Sequence, residues 1–152
     1  MFGIEITGIG FCAAHRVEGH PKCGRLHGHN YEVSLALAST HLDTQGFVAD
    51  FGDVKRIVKE FIDDKWDHRY LVSQANLEAG DVYYNAARYE ILIGDDCVVL
   101  DVPQTTAEYL ARLLFDTFQE LLHRRYPTVV LQWVAVRETP TSEAVYHNPD
   151  QE

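Results

Sequence analysis

The sequence predicts an α+β fold: an antiparallel sheet with helices laid over one face. Three observations lead there. Alternating apolar stretches lie near both ends of the chain. Two stripes of helical period lie between them. Strand patterns come in adjacent pairs rather than alternating one for one with helices.

Each element has its own signal. Residues 3–14 read as a strand carrying Ile4, Ile6, Ile9 and Phe11, and residues 30–38 read as a second, close enough for an antiparallel pair. A helix is expected over 50–66, with Asp50 as N-cap and Val54, Ile57, Val58, Phe61 and Ile62 as its apolar face. A second is expected over 106–125, where Thr105 and Glu108 have capping-box spacing. Leu110, Leu113, Leu114, Phe118, Leu121 and Leu122 form its buried face, and Pro127 ends it. Strands over 129–137 and 144–147 close the chain around the turn Thr139-Pro140-Thr141. The segment 72–104 is less regular. Residues 88–93 and 97–102 look like a hairpin around Gly94-Asp95-Asp96, and Tyr83, Tyr84 and Tyr89 read as packing under a loop. The expectation is a four-stranded antiparallel sheet, two helices on one face and an inserted hairpin, within one domain over 1–152.

Composition narrows the functional classes. A chain of 152 residues can bury a real core. The net charge of −10 lacks the basic stripe of a general nucleic-acid binder. A local cluster of Arg16, Lys22 and Arg25 leaves room for a small phosphorylated ligand. Neither a signal segment nor an apolar run of membrane length is present, so a cytoplasmic, reduced protein is expected. Cys12, Cys23 and Cys97 are odd in number and widely spaced, against a disulfide framework. Cys12 reads as a small core hydrophobe, and Cys97 is assigned no role.

The chemistry concentrates at His15, Cys23, His27 and His29. Residues two apart on a strand share a face, so His27 and His29 can reach one ion. His15, at the end of the neighbouring strand, brings a third imidazole. Three neutral nitrogens leave one position of a tetrahedral zinc open, as in a catalytic site. Lys22 and Arg25 flank Cys23, and nearby positive charge favours thiolate. Cys23 is then a general base outside the metal shell or, alternatively, a fourth ligand closing a structural site. His20, His41, His123 and His147 lie in polar surroundings and are expected at the surface.

A wider set of motifs carries a resemblance: Phe11-Cys-Ala-Ala-His15, the run from Glu18 to Asn30 containing Cys23-Gly-Arg-Leu-His27-Gly-His29, Asp50-Phe51, Trp66-Asp-His-Arg-Tyr-Leu71, Thr105-Thr-Ala-Glu108 and Val136-Arg-Glu-Thr139. In this order the chain resembles the 6-pyruvoyl-tetrahydropterin and 6-carboxy-tetrahydropterin synthase family. The three-residue gap between Cys23 and His27 is similar to the carboxy branch. The resemblance implies the tunnelling (T-) fold, whose sheets join edge to edge into a barrel, commonly as a homo-hexamer of two stacked trimers. It implies Zn2+ on His15, His27 and His29, Cys23 as proton acceptor, Asp67 and His68 as a proton relay, and Glu138 on the pterin ring. Thr106 and Glu108 fall at a helix start that helps hold the pterin. The implied enzyme is a lyase turning 7,8-dihydroneopterin triphosphate into 6-carboxy-5,6,7,8-tetrahydropterin, acetaldehyde and triphosphate, on the route to queuosine. Alternatives are the pyruvoyl reaction without carbon–carbon cleavage, or a non-catalytic zinc- or pterin-binding protein. Two features depart from the family pattern. Ala107 stands where a hydroxyl residue is frequent, and the connection over 72–104 is long.

Overall fold

Period-two burial builds the first strand pair. In β1 (Phe2–His15) the side chains of Ile6, Ile9, Phe11, Ala13 and His15 are buried, and in β2 (His27–Ser39) those of Tyr31, Val33, Leu35 and Leu37. The two run antiparallel from Phe2↔Ser39 to His15↔His27, with a register shift between Ile6 and Ile9. Gly8 sits in that shift at φ +71°, a backbone conformation open to glycine at no steric cost. The computed structural model describes residues 1–78 and 96–151.

The chain continues through α1 (Phe51–Lys65), β3 (Arg69–Ser73), α2 (Gln74–Glu78), β4 (Cys97–Leu100), α3 (Ala107–Arg125), β5 (Val130–Thr139) and β6 (Ser142–His147), ending in a 3-10 turn at Pro149–Gln151. Among the described residues the strands form one six-stranded sheet in the order β4-β3-β1-β2-β5-β6. The expected antiparallel set is its larger part: β1, β2, β5 and β6 pair antiparallel in sequence. The four-stranded expectation is corrected by β3 and β4. β3 runs parallel to β1, and β4 runs parallel to β3. Tyr70, Leu71, Val72 and Ser73 of β3 are all buried, so this strand has no polar face to alternate with its apolar one. The expected strand over 97–102 is β4. The other arm of that hairpin at 88–93, most of its turn, and Tyr83, Tyr84 and Tyr89 lie outside the described residues.

The two long helices share one core with the sheet. Asp50 caps α1, accepting from Asp53 N at 2.8 Å, and Val54, Val58 and Ile62 are buried along one stripe. Leu110, Ala111, Leu114, Phe115, Phe118 and Leu122 do the same for α3. Both stripes join Phe11, Tyr31, Val33, Leu35 and Val134 in a single apolar cluster. Each large side chain so buried contributes about 1.5–3 kcal/mol relative to exposure. The capping expectation shifts by one residue: Thr106, not Thr105, is the N-cap of α3, accepting from Tyr109 N. Thr105 is buried instead, and its hydroxyl donates to Arg16 O at 3.1 Å. None of the described helices is long and apolar enough to cross a membrane.

Asp53 ties the start of α1 to the end of α3. Its carboxylate accepts from the Tyr126 hydroxyl at 2.6 Å and lies 3.0 Å from Arg125 Nε and 2.7 Å from Arg56. The Tyr126 hydrogen bond, then Arg56, hold its carboxyl below the ordinary 3.8. A depressed carboxylate pKa stabilises the fold above the unfolded value, and that stabilisation fades as pH falls through the folded one. Asp53→Ala is expected to cost about 1–3 kcal/mol at neutral pH. Urea titrations at pH 7 and below pH 4 check this: the difference between variant and parent should shrink in acid.

Candidate metal centre

The β1–β2 register assembles the three histidines. His15 pairs with His27 and Ala13 with His29, so all three imidazoles project on the face that carries Phe11 and Tyr31. Ring centroids are 4.6 Å (His15–His27), 5.1 Å (His15–His29) and 4.9 Å (His27–His29) apart. One ligand nitrogen from each lies within 4.8 Å of the others. Gly28 between them permits close strand approach, since a Cβ there would stand 3.1 Å from Ala13 O.

Backbone carbonyls set the tautomers. His15 Nδ1 is 2.7 Å from Thr105 O, and His27 Nδ1 is 2.6 Å from Arg25 O. A carbonyl only accepts, so both Nδ1 atoms carry a proton, and in the neutral ring Nε2 is then the atom with the lone pair. Nε2 of His15 and Nε2 of His29 are buried without a hydrogen-bond partner among the described residues. Burial, reinforced by His27 and His29 against the pull of Thr105 O, pushes the His15 pKa down to about 4. Burial also lowers that of His29, against the charge of Glu138. Neutral imidazoles with orphaned inward nitrogens fit a divalent transition metal, which would satisfy them.

Glu138 approaches the same point. It follows Arg137, which pairs with Glu32, and so lies beside Tyr31 at the histidine end of the sheet. Its Oε1 is 3.3 Å from His15 Nε2 and 3.6 Å from His29 Nε2, with a quarter of the side chain (25%) exposed. Burial and the Glu138 charge push the Tyr31 hydroxyl well above its usual pKa. Among the described residues that hydroxyl has no hydrogen bond of normal geometry.

Cys23 sits on a loop fastened by its own backbone. Val17 N donates to Cys23 O (2.7 Å), Gly24 N to His20 O (2.9 Å), and Arg16 Nε to Gly24 O (2.7 Å). Gly24 is obligatory, because a Cβ would meet His20 O at 2.5 Å. His20 is exposed, as expected, yet its Nδ1 accepts from Cys23 N at 2.9 Å and Lys22 N at 3.2 Å. It therefore positions the thiol, a role that polar surroundings alone do not reveal. Arg16 also pairs with Glu18, so in the basic cluster it is a structural member. Cys23 is half-buried and does not join the histidine group. It lines a cavity of about 360 Å³ with Val17, Thr106, Glu108 and Glu138. Four expected site residues thus share one cavity beside the imidazoles.

Asp67 and His68 lie elsewhere. Asp67 Oδ2 is 2.8 Å from His68 Nδ1, and Oδ1 accepts from Cys12 N at 3.0 Å. Burial raises the Asp67 pKa, but the Cys12 N–H and His68 outweigh it, and the net shift is downward. His68 has φ +59° and a side chain 77% exposed. Cys12 is one position out of phase with His15 on β1, so its side chain projects from the opposite face. A second cavity of about 590 Å³ on that side is lined by Cys12, Leu26, Asn30, His68, Arg69 and Asp96. Cys12 is therefore half-buried beside His68, not a core residue as expected. Within one chain His68 and Cys23 line separate cavities.

The mixed sheet with long helices on one face and histidines gathered at its end define a T-fold protein with a candidate metal centre. The comparisons agree. A family model described as "6-pyruvoyl tetrahydropterin synthase" matches residues 5–149. A relative from Halobacterium salinarum, named "Probable 6-carboxy-5,6,7,8-tetrahydropterin synthase", is 40% identical over 138 residues, 90% of this chain and 81% of that protein. The 6-carboxy-5,6,7,8-tetrahydropterin synthase of Rickettsia felis is 39% identical over 84 residues, 55% of this chain and 61% of its own length. The crystal structure of 6-pyruvoyl tetrahydropterin synthase from Plasmodium vivax superposes with a TM-score of 0.73 at 18% identity over 97% of each chain, a likeness of fold. The chain belongs to the 6-pyruvoyl tetrahydropterin synthase family and is an enzyme of that family.

Proposed function

We propose that this enzyme is a zinc-dependent lyase that converts 7,8-dihydroneopterin triphosphate to 6-carboxy-5,6,7,8-tetrahydropterin, acetaldehyde and triphosphate. The observation that carries the reading is the trio of imidazoles whose ligand nitrogens lie within 4.8 Å of one another, beside a cavity holding Cys23 and Glu138. His15, His27 and His29 would hold the ion, and zinc bound there would act as a Lewis acid toward side-chain hydroxyls of the substrate. Cys23 accepts a side-chain proton. Glu138 offers a carboxylate matched to the two donors of a pterin amidine edge, and Thr106 and Glu108 line the same cavity. His68, oriented by Asp67, returns the proton.

Because His68 lies on the other face of the sheet, the relay requires a second copy of the chain to bring its own pair to Cys23. We therefore propose a homo-oligomer, with a hexamer as the expected form. The carboxy product is favoured by the Cys23-to-His27 gap and by the names of the sequence relatives. Incubating the zinc-loaded protein with dihydroneopterin triphosphate should yield acetaldehyde and the carboxypterin in equal amounts. A 6-pyruvoyl product without acetaldehyde would assign the pyruvoyl reaction instead, and no turnover of this substrate would overturn the lyase reading.

A further inference from the structure

Cys12 contacts the Asp67–His68 pair through three atoms. Its N–H donates to Asp67 Oδ1 (3.0 Å), its carbonyl accepts from His68 N (2.7 Å), and its Sγ lies 3.5 Å from His68 Nε2. Asp67 on Nδ1 sets the tautomer of the neutral ring, in which Nε2 turns its lone pair toward the thiol. Nucleophile, base and orienting carboxylate within hydrogen-bond reach are the arrangement that activates a thiol. The left-handed backbone of His68, uncommon for a residue with a Cβ, holds the imidazole in that position. The sulfur opens on the cavity of about 590 Å³, ample for a small molecule. Cys97 is the opposite case: burial pushes its thiol up to about 11.

We propose that Cys12, His68 and Asp67 form a thiol–imidazole–carboxylate triad that makes Cys12 a modification site for peroxides. His68 Nε2 takes the thiol proton, and the sulfur attacks one peroxide oxygen. The S–O bond forms as the O–O bond breaks, and the departing oxygen collects the proton from the imidazolium and leaves as water or an alcohol. Sulfur is oxidised to the sulfenic acid while the peroxide is reduced. Such a cap on Cys12 occupies the ring nitrogen of His68 and switches off its proton relay, a consequence that rests on the function proposed above; the modification itself does not.

The test is peptide mapping of the intact protein after brief exposure to hydrogen peroxide with dimedone as sulfenic-acid trap. Cys12 should be trapped at least about tenfold faster than Cys97, and His68→Asn should remove most of that advantage. A slow Cys97 in the variant reports that it is folded, and Asp67→Asn repeats the comparison if it is not. Trapping of Cys12 at the rate of Cys97, or at an unchanged rate without the imidazole, overturns the proposal. Turnover is not part of the readout, so failure here and failure of the lyase reading are separable.

Discussion

Replacing Cys23 by alanine should lower turnover by about two to four orders of magnitude and leave the metal content unchanged. The thiol lies in the cavity with Glu138 and outside the histidine group, so its removal takes away a base and no ligand. The loop should survive, because Val17, His20, Gly24 and Arg16 hold it through main-chain atoms of residues 20–24. Single-turnover kinetics and metal analysis on the same sample check both halves. Loss of metal together with activity would make the sulfur a ligand and the centre structural. Cys23→Ser separates proton transfer from shape, since the hydroxyl fills similar space but is a far weaker acid.

That expectation leans on geometry only partly visible beforehand. The period-two and helical patterns mark β1, the first half of β2, β6, α1 and α3, because each covers one face more than the other, whereas β5 buries Val134, Ala135 and Val136 in a row and is marked by its long β-branched apolar run. β3 has no such contrast: its buried residues lie on both faces, and its parallel partners come from distant parts of the chain. Capping-box spacing points to Thr105 and the structure caps α3 with Thr106, because the two residues are chemically alike. What separates them is Arg16 O, nearly ninety positions away, which takes the Thr105 hydroxyl.

At the site, the His27–His29 spacing and a strand-end His15 were enough to place three imidazoles together. The roles expected of Asp67, His68 and Glu138 rest on the resemblance, since an isolated acid–histidine pair carries little signal. Three features were hidden. Thr105 orients His15 through a backbone carbonyl, which residue identity does not encode. His20 braces Cys23 from an exposed position. Cys12 has the same parity as Ile4 and Ile6, so its place off the core face, where it meets His68, is set only once the bulge between Ile6 and Ile9 is known.

His27→Ala is expected to be the cleanest way to empty the centre. Each imidazole of a three-histidine site carries a share of the binding free energy, on the order of 3 kcal/mol per ligand, so losing one should weaken zinc binding by about a hundredfold or more. Which histidine is removed matters. His15 is 1% exposed and bonded to Thr105 O, so its loss opens a cavity under α3 as well as a coordination position. His27 is half-buried and, among the described residues, hydrogen-bonded to the nearby Arg25 O alone, so its deletion should cost the fold little. The variant should therefore unfold in urea close to the metal-free parent, bind zinc weakly in chelator competition, and lack turnover at zinc concentrations that saturate the parent. Raising zinc should restore part of the activity, because His15 and His29 still present their inward nitrogens. Full zinc affinity in His27→Ala would place the ion elsewhere, and the Cys12–Asp67–His68 cluster is the other group of ligand atoms among the described residues that could hold it.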